Sequence, residues 1–127
     1  MTCQADCLLA VACAGLIAFF VLWATACDSP EQTIHVMAEE FRFTPAEIRV
    51  SAERPIRLRI VNGGRERHEF KSPLLAHQIG GTTAPVGSLT VLPNRGAEAV
   101  MRAPSGIYLF HCAIPGHAGM SGTIIVE

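Results

Sequence analysis

Near its carboxy end the chain carries a short loop, punctuated by glycine and proline, between two apolar runs, and few folds accommodate the residues on it. Ile107 to His111 alternates as a strand does and delivers Cys112 at its end. Thr123 to Val126 reads as a second strand, and Pro115, Gly116 and Gly119 turn the chain between them. On the loop stand Cys112, His117 and Met120, a thiolate, an imidazole and a thioether. Soft sulfur donors combined with imidazole suit copper, and one further His would complete a trigonal His₂Cys set with a weak axial Met. His68 is the candidate, in Arg67-His68-Glu69-Phe70 just after a strand and the Gly63-Gly64 turn.

The body of the chain is patterned with period two. Ile34 and Val36 alternate with His35 and Met37, and Ile48 and Val50 with Glu47, Arg49 and Ser51. From Pro55 to Asn62, Ile56, Leu58 and Ile60 fall on one face and Arg57 and Arg59 on the other. Asn62-Gly63-Gly64 turns the chain, and Val86 to Leu92 and Ala97 to Arg102 are further strands. Short strands at regular spacing predict an all-β sandwich or barrel. Cys112 shares a face with Tyr108 and Phe110, so the adjacent His111 is expected to point away from the metal, with Ile107 and Leu109. Both faces of that strand are largely apolar, which fits a strand packed on both sides or one near a partner surface. His35 is expected to be solvated, and His77 to decorate the loop between Lys71 and Pro85.

Residues 1–27 are set apart by composition. Leu8 to Ala26 is an unbroken apolar run ending in Ala24-Thr25-Ala26-Cys27. Three fates fit it: a lipoprotein signal lipidated at Cys27, a cleaved export signal, or a retained membrane anchor. Each places residues 28–127, as one domain, in the periplasm or on the outer face of the membrane. Of five cysteines, Cys3, Cys7, Cys13 and Cys27 belong to or border this segment, which leaves Cys112 alone in the body. A lone thiol in an oxidising compartment is either a metal ligand or a buried core residue. The formal net charge of −1, without a basic cluster, excludes a nucleic-acid partner. No catalytic acid–base pair is visible, so the chain is not expected to be an enzyme.

From about residue 33 onward the chain resembles the small cupredoxins, of the plastocyanin and azurin kind. The resemblance is carried by Glu40-Phe41-Arg42-Phe43-Thr44-Pro45, by the His68 corner, and above all by Tyr108 to His117 followed by Met120 and Gly122. It implies a Greek-key sandwich of about seven to eight strands, here preceded by an amino-terminal hydrophobic helix. It also implies one mononuclear type 1 copper ion held by His68, Cys112, His117 and Met120. The implied function is electron transfer by a monomer that meets redox proteins transiently, through an apolar rim of Ile114, Pro115, Ala118 and Leu74 or Leu75. The alternative is a copper-binding, storage or delivery module on the same scaffold. Two departures stand out. Azurin-like loops commonly carry the Met one residue further on, whereas only Ala118 and Gly119 separate His117 from Met120. Glu69 stands where many relatives have Asn or Asp tying the ligand loops together, and is expected to pair with Arg65 or Arg67.

Overall fold

The computed structural model describes residues 29–80 and 87–127. The expected amino-terminal helix, its cleavage or lipidation at Cys27, and the membrane attachment it implies lie outside the described residues. Among those residues, no helix is long and apolar enough to cross a membrane.

Nine strands are described: β1 (Gln32–Glu39), β2 (Arg42–Thr44), β3 (Glu47–Val50), β4 (Ile56–Asn62), β5 (His68–Lys71), β6 (Ser88–Val91), β7 (Gly96–Met101), β8 (Gly106–Cys112) and β9 (Ser121–Val126). They form two sheets, ordered β2-β1-β4-β7 and β3-β9-β8-β5-β6. The fold is the expected all-β sandwich, with more strands than the seven to eight expected. The additional ones are β2 and β5, of three and four residues, too short to show a period. Two pairings, β1 with β4 and β3 with β9, are parallel; the others are antiparallel. A 3-10 turn, Pro73–His77, interrupts the segment read as a loop, capped by the Ser72 hydroxyl, which accepts from the Leu74 amide at 3.2 Å.

Alternation decides what is buried. On β4, Ile56, Leu58 and Ile60 are fully buried, while Arg57 and Arg59 lie on the outer face. There Arg57 pairs with Glu31 and Glu98 at 2.6 Å each, and Arg59 with Glu98 at 3.1 Å, so these arginines are neutralised within the sheet. Between the sheets, Phe43, Phe70 and Phe110 pack with ring centroids 4.9–5.5 Å apart. Each such side chain contributes about 1.5–3 kcal/mol by leaving water. Gly122 lies opposite Phe110 in the ladder, and a Cβ there would collide with the Phe110 ring and the Ala46 carbonyl.

β8 is central in its sheet, yet only its inner face is buried. Phe110 and Cys112 point inward, while Ile107 is 72% and Leu109 64% exposed. Among the described residues nothing packs over the outer face of this strand, and an apolar row faces outward.

The two ends of the described chain meet at one pole. The Gln32 amide donates to the Pro55 carbonyl and the Glu127 amide to the Val50 carbonyl, both at 2.9 Å. Gly106, at the start of β8, pairs with Val126 at this pole. Cys112 lies at the other end of β8, about 20 Å away at the rise of an extended strand.

Candidate metal centre

Each candidate ligand is placed by backbone structure. Cys112 is the last residue of β8, and its amide donates to the Met120 carbonyl at 2.9 Å, closing the loop upon itself. Inside that loop the His117 amide donates to the Ile114 carbonyl and the Met120 amide to the His117 carbonyl, each at 3.2 Å. These two consecutive turns need left-handed residues, supplied by Gly116 at φ +91° and Gly119 at φ +86°. The loop is tied sideways by the Ala113 amide donating to the Glu69 carbonyl at 3.0 Å. Glu69 thus links the ligand loops through its backbone, and the expected ion pair with Arg65 or Arg67 is not formed. Glu40 takes part instead: its carboxylate accepts the Arg65 amide, and this bond holds the carboxyl below its ordinary range.

His68 opens β5 and is fully buried. Buried Asn62 shapes the turn before it. The Asn62 amide nitrogen donates to the carbonyls of Glu66 (2.7 Å) and Val91 (3.0 Å), and its oxygen accepts the Gly64 amide (2.9 Å). Phe43 stands edge-on to the His68 ring at 6.5 Å. The His68 Nε2 is buried and makes no hydrogen bond among the described residues, so packing alone holds that edge of the ring.

Three donor atoms converge. The Nδ1 atoms of His68 and His117 are 3.3 Å apart, and the Cys112 Sγ lies 3.4 Å from the His117 Nδ1 and 4.0 Å from the His68 Nδ1. A first-row metal bonds imidazole nitrogen at about 2.0 Å and thiolate sulfur at about 2.3 Å, which sets donors around one ion roughly 3.3–3.9 Å apart. The arrangement fits. It is the one cluster of potential metal-binding residues with His, Cys or carboxylate donors among the described residues, and all three members are buried. Met120, fully buried beside them, completes the donor set of a type 1 copper site. Burial first, and the facing His117 second, hold the His68 imidazole below its ordinary pKa, which favours the neutral form a metal requires.

The remaining histidines stand apart. His111 is exposed on the outer face of β8, opposite Lys71 and Ser121, as the alternation predicted. His77 ends the 3-10 turn with its ring edge-on to Tyr108 at 5.8 Å, and His35 is exposed on β1. The expected rim is corrected in one respect. Leu74 and Leu75 are fully buried and belong to the core. In their place Phe41, which the sequence did not single out by itself, stands 59% exposed and edge-on to His117 at 5.6 Å.

Comparison with known proteins gives the same picture. A family model described as a cupredoxin-like domain matches residues 11–126. The copper-resistant cuproprotein CopI of Rubrivivax gelatinosus is 35% identical over 105 residues, covering 72% of this chain. The matched part is 64% of that protein, so the chain spans less than two thirds of its relative. Among solved structures, auracyanin A, a "blue" copper protein of Chloroflexus aurantiacus, superposes with a TM-score of 0.59 at 22% identity, covering 76% of this chain and 99% of that one. The reduced auracyanin of Roseiflexus castenholzii gives 0.59 at 19% identity, covering 75% and 96%. Auracyanin B gives 0.57 at 22% identity, covering 79% and 90%. At these identities the likeness is one of fold.

Proposed function

The chain belongs to the cupredoxin-like domain family, and from that premise we propose that it is a type 1 copper protein that carries single electrons outside the cytoplasm. His68, Cys112 and His117 would hold the ion through Nδ1, Sγ and Nδ1, with Met120 as a fourth, thioether donor. The observation that carries this reading is the buried convergence of those three atoms within 3.3–4.0 Å of one another. Bound copper would supply a one-electron couple at a site whose mixed soft and imidazole donors suit both of its oxidation states. The chain's own part is to keep the donors in place: the Cys112 and Met120 backbones are bonded to each other, and the loop is pinned to Glu69. The exposed surface around His117, with Phe41, Pro115 and Ala118, suits brief docking with a redox protein, as small transient interfaces do. On this reading the protein is a monomeric carrier and not an enzyme, and the apolar run before residue 27 exports it or holds it at the membrane.

A second reading is favoured by one observation, the 35% identity to a copper-resistant cuproprotein. In it the same ligands bind copper for storage or delivery. Visible and electron-spin-resonance spectra of the full chain after adding copper(II) test the site. An intense thiolate-to-copper band with narrow hyperfine splitting is expected, and it should be absent from Cys112→Ser. A pale sample with wide splitting would overturn the type 1 assignment. Exchange separates the two roles: a carrier retains copper through repeated redox cycles, whereas a delivery protein surrenders copper(I) to an acceptor.

A further inference from the structure

Phe41 combines two features that the ligand set does not explain. Its φ is +64°, a left-handed conformation that a bulky side chain rarely adopts. Its ring is 59% exposed, yet stands edge-on to the His117 imidazole with centroids 5.6 Å apart. A phenylalanine serving the core belongs inside, as Phe43 does two residues on, and a turn needing positive φ is ordinarily served by Gly or Asn.

The local structure keeps it there. Glu39 pairs with Arg42 in the β1–β2 ladder, so Glu40 and Phe41 form a two-residue hairpin turn in which Phe41 takes the positive φ, as the third residue of a type II turn does. An ion pair between Arg42 and Glu39 at 2.6 Å closes the turn, and Glu40 anchors its tip to the Arg65 amide, on the segment leading to His68. Phe41 and Phe43 thereby bracket the histidine pair, one against His117 from the solvent side and one against His68 from the core.

The little exposure that the site keeps is at Cys112 and His117, and the Phe41 ring lies against the second of these. His68 and Met120 are fully buried, while Cys112 and His117 keep 8% and 9% exposure. We propose that Phe41 is a positioning residue for the metal centre: the strained hairpin tip holds its ring on His117, fixes that imidazole over the site and slows exchange of the metal through its exposed edge. The proposal rests on the ligand assignment above but concerns a residue outside it.

Phe41→Gly is the informative variant, because glycine relieves the left-handed strain while removing the ring; Phe41→Asn does the same with a polar side chain, and Phe41→Tyr keeps an aromatic edge. Copper(I) release from the full chain to bathocuproine disulfonate is followed for each, together with the thermal midpoint and the His117 ring proton resonances of the metal-free chain. The glycine and asparagine variants are expected to release copper about 10- to 100-fold faster, if the usual loss of metal affinity on removing a group that supports a ligand falls on the release step. Their midpoints should not fall, their His117 resonances should move as the ring current is lost, and the tyrosine variant should behave as the parent. Wild-type release rates in both variants overturn the proposal. If the parent chain gives no type 1 spectrum, the ligand assignment fails, and the resonances alone decide: an unmoved His117 signal then overturns the role of Phe41.

Discussion

Protonating His68 in the folded chain places a cation in a fully buried position beside a second imidazole. Burial foremost, then His117, therefore depress its pKa. The unfolded chain takes up this proton near pH 6.5, while the folded chain resists it to lower pH. Between the two values the unfolded state binds more protons, so stability falls as pH drops below about 6.5, and the loss is complete below the folded value. Denaturant unfolding of the metal-free chain across this range should show that decline, and His68→Gln should lessen it; an equal slope in both would contradict the assignment. The candidate donors themselves were legible in the sequence for a chemical reason. Cys112, His117 and Met120 share one loop, and few roles other than metal binding need those three groups so close. Phe41 was not legible, because it meets His117 only through the packing of two hairpins far apart in the chain, and nothing in its neighbourhood marks a left-handed phenylalanine.

At the level of elements, the ligand positions depend on turns more than on strands. Asn62 satisfies two carbonyls and one amide in the segment that aims His68. Asn62→Ala strands those groups in a buried place, and should cost about 1–3 kcal/mol for an unsatisfied polar group, measured by denaturant unfolding, while lowering copper affinity. β9 carries a different constraint. Gly122→Ala should cost about 1–3 kcal/mol through overpacking against Phe110 and the Ala46 carbonyl; an unchanged unfolding midpoint would show that the Phe110 ring and the Ala46 segment can yield there. Period two revealed the longer strands and correctly turned His111 away from Cys112. It failed for β2 and β5, too short to carry a period, and for Leu74 and Leu75. The 3-10 turn folds those two leucines into the core, and an irregular segment gives no alternation from which to infer an inward face.

For the molecule as a whole, a ligand bound by the folded state alone shifts its unfolding equilibrium. Because the donors come from β5, the end of β8 and the loop after it, they are brought together only in the folded chain. Copper should raise the thermal midpoint in a concentration-dependent way, by about 2.7 kcal/mol of stability at a hundredfold excess over the dissociation constant. Calorimetry of the chain with and without copper checks this, and Cys112→Ser should lose most of the effect. The shared pole of Gln32 and Glu127 has a practical meaning as well. A chain grafted through a side chain beside Gln32 or Val126 to an electrode, a bead or a second protein stands with Cys112 and His117 turned outward. Current at such a surface must then cross the length of β8, so reversing the orientation, by coupling through a cysteine placed beside Pro115, should quicken interfacial electron exchange.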